Sequence, residues 1–144
     1  MAAKFEFRNN LLELDIAGKT FKIDTTSQTI FDAMQKFRDG AKKLAEEIKT
    51  IPETEMSKFV EKERLFLIES IDDILGAGAV SDIFGERPVT YFDALDVARF
   101  ISVEIPKYIA DKSEEFARPV PANRAQRRAS GKKKGKAVEN EPAD

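Results

Sequence analysis

Glu69, Asp72 and Asp73 are the first residues in this chain whose types and spacing could do chemistry. On a helix they lie three to four apart and share one face, so their carboxylates could hold a hard cation. The loop spacing of a calcium site is missing around them, and a wetted strip on an otherwise apolar helix accounts for them equally simply. Gly76 and Gly78 form a second candidate, since paired glycines can cradle a phosphate. No strand precedes them, no third glycine follows at the right spacing, and no Lys-Ser/Thr comes after, so two helix-breaking glycines explain the pattern. The third candidate is basic. Arg124, Arg127, Arg128, Lys132, Lys133 and Lys134 lie within residues 123 to 136 and could grip nucleic acid through its phosphates. No aromatic residue interleaves them, so base stacking is not offered. A peptide that docks on a partner protein and a solubilising tail are the competing readings of the same run.

Histidine and cysteine are both absent from the 144 residues. Disulfides and thiol chemistry are therefore excluded, and so are the usual nucleophile–base pairs and most zinc and iron sites. The expectation is a protein with no catalytic residues, no metal and no cofactor, and hence no enzyme. Lack of cysteine also fits a reducing compartment. No hydrophobic leader follows Met1, and no apolar run approaches the roughly 20 residues that span a bilayer. The chain should be soluble, not exported, and have no membrane partner.

Charge is unevenly placed. Residues 118 to 136 hold eight of the 24 basic residues and no acid, and Glu139, Glu141 and Asp144 follow. The first 117 residues carry 16 basic and 23 acidic groups, a net charge of about −7. An acidic domain thus precedes a basic tail with an acidic tip. Pro119, Pro121 and the basic run leave nothing to bury, so residues 118 to 144 are expected to be disordered when free.

Residues 1 to 117 should form one folded α+β domain, with a small N-terminal antiparallel meander packed on three long helices and one short one. Phe5, Phe7, Leu12, Leu14, Ile16, Phe21 and Ile23 alternate with polar residues over 4 to 23, the period of half-buried strands. Asn9-Asn10 and Ala17-Gly18-Lys19 are the expected turns. Such a sheet is marginal by itself and needs a helix on its apolar face. Thr25, Thr26 and Ser27 offer caps for a helix over 27 to 50. In it Ile30, Met34, Phe37, Ala41, Leu44, Ile48 and Ile51 recur at alternating spacings of four and three, a three-heptad seam. That seam either packs inside the domain or captures another chain, and Met34, Phe37, Leu44 and Ile48 are the candidate partner-binding residues. Gly40 interrupts it at a cost of about 1 kcal/mol relative to Ala.

Pro52 should end that helix, and Thr50 lies three before Glu53 in capping-box spacing for the next. Residues 53 to 75 read as a second helix, antiparallel to the first because the lengths match and the joint is short. Seven of the eleven residues from Leu65 to Leu75 are large and apolar, so this helix should be central, with Leu67, Ile68 and Ile71 in the core. Gly76 should stop it. A short helix over 79 to 84 closes at Gly85. Thr90 with Asp93 should cap a last helix over 91 to 116, whose apolar residues include Phe92, Leu95, Phe100, Ile101 and Ile105. Pro106 should kink or split it near Glu104.

The run Ile74-Leu75-Gly76-x-Gly78-Ala79-Val80-x-x-Ile83-Phe84-Gly85-Glu86-Arg87, with Ala94-Leu95-Asp96-Val97 and Phe100-Ile101 after it, resembles the tail assembly chaperones of long-tailed phages and prophages of Gram-positive bacteria. The N-terminal strands, the helical middle and the basic Asn-Arg-Ala-Gln-Arg-Arg ending are similar too. The resemblance covers most of the chain but rests on order and spacing. It implies a non-enzymatic protein of the host cytoplasm that binds the tape measure protein during tail building and is absent from the finished virion. The major tail protein and self-association are further partners to expect. The resemblance also implies a longer product made by ribosomal frameshifting, for which the codons of Lys132-Lys133-Lys134-Gly135 offer a place. The alternative function is a small nucleic-acid-binding accessory protein acting through the basic tail, a partner that the missing aromatic residues argue against.

Overall fold

The computed structural model describes residues 2 to 117. The expectations for residues 118 to 144, including the contacts of Arg124, Arg127, Arg128, Lys132, Lys133 and Lys134, lie outside the described residues. The architecture is α+β: a two-stranded antiparallel hairpin followed by four helices. Strands β1 (Leu12–Ile16) and β2 (Lys19–Ile23) precede α1 (Gln28–Glu47), α2 (Met56–Leu75), α3 (Ala79–Phe84) and α4 (Tyr91–Ala117).

The hairpin pairs Leu12 with Ile23, Leu14 with Phe21 and Ile16 with Lys19. Leu12, Leu14, Ile16 and Ile23 are buried, so period-two alternation places one face of the sheet in the core. Its turn is Ala17-Gly18, both with positive φ (53° and 82°), the handedness that matches the twist of two paired strands. Gly18 adopts this freely, whereas Ala17 does so at a cost of about 1 kcal/mol. The Asp15 side chain accepts a hydrogen bond from the Gly18 N–H at 3.0 Å and steadies the turn.

The expected meander loses its first strand. Residues 2 to 10 form no ladder, and Asn9-Asn10 does not turn the chain back. Instead the Asn9 Oδ1 accepts from the Leu11 N–H at 3.0 Å, a local bond that competes with hairpin formation.

Ser27 is the residue that caps α1, accepting from the Ile30 N–H. Thr50 does not cap the next helix. Its hydroxyl turns back and donates to the Glu47 carbonyl at 3.0 Å. Short 3₁₀ turns at Ile48–Thr50 and Glu53–Glu55 flank Pro52, and α2 starts three residues later than expected, at Met56. Two contacts fix the direction of α2. Lys36 reaches Asp73 at 3.3 Å, and Lys62 reaches Glu47 at 3.0 Å, so α1 and α2 run antiparallel. Gly76 ends α2 with φ 117°, and Gly85 ends α3 with φ 58°. The Thr90 hydroxyl accepts from the Asp93 N–H at 3.1 Å and starts α4 as its spacing predicts.

Pro106 does not split α4, which is one helix from Tyr91 to Ala117. The lost N–H costs one backbone hydrogen bond. Ile101 and Ile105 on the preceding turns are each 1% exposed, and burial of that order offsets a single missing bond.

Residues up to Ile109 form one compact unit. Its core joins the apolar face of the hairpin to Ile30, Ala33 and Met34 of α1, Leu67, Ile71 and Ile74 of α2, Val80 of α3, and Ala94, Ala98, Ile101 and Ile105 of α4. A second unit begins at Ala110; its described part is the closing turns of α4, where Lys112 pairs with Glu115.

Candidate functional site

The three acids of α2 separate in function. Glu69 and Asp73 lie on the solvent side and face Lys36 of α1, at 3.8 and 3.3 Å. Asp72 is half-buried, and its Oδ1 accepts from the Val80 N–H at 2.9 Å. A carboxylate from α2 thus satisfies a free amide in the first turn of α3, which has no cap of its own at Gly78. Asp72→Ala should cost about 1–2 kcal/mol in chemical denaturation, while Asp72→Asn, which keeps an oxygen there, should cost less. Equal losses would show that the charge matters more than the acceptor. Among the described residues no group of three or more His, Cys, Asp or Glu is placed to hold a metal ion. Gly76 and Gly78 act as the stop of α2 and the entry to α3.

A second set of polar contacts fastens α4 to α2. Arg64 donates to the Val89 carbonyl at 3.0 Å just before α4, and is itself held by Glu61 at 2.7 Å. That pairing keeps the Glu61 carboxyl below its usual range and raises the guanidinium. Burial raises the Glu63 carboxyl. The Tyr91 phenol is raised chiefly by burial and further by the Glu63 charge, while Arg99 opposes both.

The seam on α1 is largely consumed inside the chain. Met34 and Leu44 are buried. Phe37 is half-buried and stacks on Phe66 of α2, with ring centroids 5.8 Å apart and planes 7° from parallel. Ile48 is the one of the four candidate residues that is exposed, at 42%. These residues therefore do not come together as a surface.

An exposed apolar strip lies instead on α4. Phe92 is 72%, Phe100 40% and Val103 60% exposed. At 100° per residue all three fall within one outward quadrant of the helix, opposite the buried Ala94, Ala98, Ile101 and Ile105. The strip is roughly 16 Å long. Asp96 and Arg99 lie along it, so apolar and charged side chains interleave. Sequence reading grouped Phe92 and Phe100 with Ile101 and Ile105 as apolar residues of this helix, without saying which face turns inward. The signal that separates them is that this helix carries two apolar faces. Only one can turn inward, and the alanine-containing face allows the closer approach.

Among the described residues no helix is long and apolar enough to cross a membrane. Fold and surface together define a small α+β protein with a helical hairpin at its centre and an amphipathic outer face on its last helix. The chain belongs to a family of unknown function, DUF6673, whose pattern it matches over residues 17–131. No curated protein and no solved structure matches it.

Proposed function

We propose that this protein is a non-enzymatic assembly chaperone of phage tails, which holds a helical stretch of the tape measure protein on the outer face of α4. The observation that carries the reading is the strip of Phe92, Phe100 and Val103, three large apolar side chains left in water on the outer face of α4. Their spacings of eight and three match the repeat of a facing helix, so an amphipathic helix laid along the strip would cover all three at once. Asp96 and Arg99 between them supply pairing groups of both signs that would set the register.

The rest of the chain suits that role. A tape measure protein is long and helical, and its apolar stripes need cover until the tail tube closes around them. The body of residues 1 to 117 carries 16 basic against 23 acidic groups, a net charge that favours solubility of a loaded complex. The same reading places the protein in the host cytoplasm and leaves it out of the virion.

The test is co-purification of the full chain with a helical fragment of the tape measure protein encoded beside it. The wild-type chain should keep that fragment soluble in a stoichiometric complex. A variant with Phe92→Asp, Phe100→Asp and Val103→Asp should keep its circular dichroism and lose the fragment. A folded triple variant that still binds the fragment would displace the site from α4. A wild-type chain that leaves the fragment insoluble would overturn the chaperone reading. Removing residues 118 to 144 should leave capture intact; a full chain that captures no fragment but binds nucleic acid, and loses that binding with residues 118 to 144, would favour the accessory-protein alternative.

A further inference from the structure

The exposed strip of α4 is complementary to its own reverse. Phe92, Asp96, Arg99 and Val103 follow one another at intervals of four, three and four residues, and all four are exposed. At 100° per residue they fall within about 60° of the helix circumference, the geometry of a helix-pairing seam. Their order is apolar, acidic, basic, apolar, so the two halves of the strip match each other in charge. Both charges are also unspent. Asp96 and Arg99 stand three apart on one helix, where such residues commonly pair, yet among the described residues neither makes an ion pair.

We infer that this strip pairs with the same strip of a second copy of the chain, antiparallel, about a two-fold axis between Val97 and Ala98. In that register Phe92 lies opposite Val103 and Asp96 opposite Arg99, and the symmetry makes each contact twice. Phe100, one turn on from Asp96, covers the charge pairs on one side. No like charges are set directly against each other. The neighbouring charged residues Asp93, Glu104 and Lys107 fall opposite Ser102, Tyr91 and Pro88. A parallel pair would instead set Asp96 against Asp96 and Arg99 against Arg99, and would align the two helix dipoles unfavourably.

Charge order selects a second copy, because the strip already carries its own complement and needs no other sequence to match it. Its length of roughly 16 Å limits the contact to the small end of specific interfaces, so the dimer should be weak and dissociate on dilution. The pairing rests on the strip and not on the chaperone reading. On that reading the dimer is the client-free form, since one strip cannot be covered twice, and each copy shields the other's phenylalanines until a client displaces it.

Sedimentation equilibrium of the full chain should show monomers and dimers exchanging with concentration. Asp96→Arg sets like charges opposite each other at both contacts, and so does Arg99→Asp. Each variant should associate about a hundredfold more weakly, with unchanged circular dichroism because both positions are exposed. A mixture of the two variants restores both pairs and should dimerise as the wild type does. The chain has no cysteine, so orientation can be read directly. A copy carrying Phe92→Cys mixed with one carrying Val103→Cys should form a disulfide-linked pair on mild oxidation, and Phe92→Cys alone should not. A wild-type monomer at every concentration would overturn the inference. So would single charge variants that dimerise like the wild type, a mixture that stays monomeric, or self-linkage of Phe92→Cys. No client enters these measurements, so a chain that dimerises but leaves the tape measure fragment insoluble would sink the chaperone reading alone.

Discussion

Replacing Ile71 with alanine is expected to destabilise the protein by about 2–5 kcal/mol. Ile71 has no exposed surface and lies among the buried side chains that join the hairpin to all four helices. Truncation removes three carbons from a space that water cannot usefully fill, so the transfer loss and the cavity term add. A small domain has about 5–15 kcal/mol of stability in total, so the variant should unfold at far lower denaturant. Ile71→Val should cost about 0.5–1.5 kcal/mol, scaling with the volume removed. Leu65, on the same helix but 52% exposed, provides the control, and its change to alanine should stay within about 0.5 kcal/mol. Urea titration followed by circular dichroism measures all three. A loss below about 0.5 kcal/mol for Ile71→Ala would mean that α2 is not the centre of the fold.

Gly40→Ala is expected to destabilise by about 1–3 kcal/mol, although helix propensity alone predicts a gain of about 1 kcal/mol. A Cβ added at Gly40 would come within 2.3 Å of Cε1 and 2.5 Å of Cζ of Phe66 on α2. The Phe66 ring is half-buried and stacked on Phe37, so moving it aside breaks that contact too. The sign of the effect therefore depends on Phe66. In a Phe66→Ala background the same substitution should become stabilising, by about the propensity difference. A double-mutant cycle reads the coupling directly. A gain from Gly40→Ala in the wild-type background would show that the ring swings away easily and that the glycine does not set the approach of α1 to α2.

Much of the fold was legible because it depends on local rules. Ser27, Thr90, Gly76 and Gly85 sit at helix ends where backbone amides and carbonyls need partners or where positive φ is required, and these needs are properties of the residue itself. The short helix over 79 to 84 and the start of the last helix at Tyr91 follow from them. Density of apolar residues marked α2 as central, since a helix with seven large apolar residues in eleven has few orientations that keep it dry. Where local rules compete, they misled. Thr50 had a capping partner in sequence, but its hydroxyl found the carbonyl one turn back. Residues 4 to 8 have perfect strand alternation, yet a ladder needs a neighbouring edge, and alternation cannot supply one.

The binding surface was not legible in the same way. Periodicity shows that a residue lies on an apolar face without saying which neighbour covers that face. Met34 and Leu44 repeat like a recognition seam, but both are buried inside the chain. Phe92 and Phe100 share the apolar pattern of α4 with Ile101 and Ile105, but the core meets α4 on its alanine face and leaves the phenylalanines exposed. Composition by itself determined the absence of thiol and imidazole chemistry, and residue order determined the acidic body with its basic run and the order and approximate ends of the helices. Only the tertiary structure decided which of two apolar faces on α4 turns inward, and that Asp72 serves α3 rather than solvent. It also decided that Gly40 is a packing position rather than a weak point of its helix. The physical reason is common to all three: each depends on a distance between residues of different elements, and that distance is set by how the helices pack against one another.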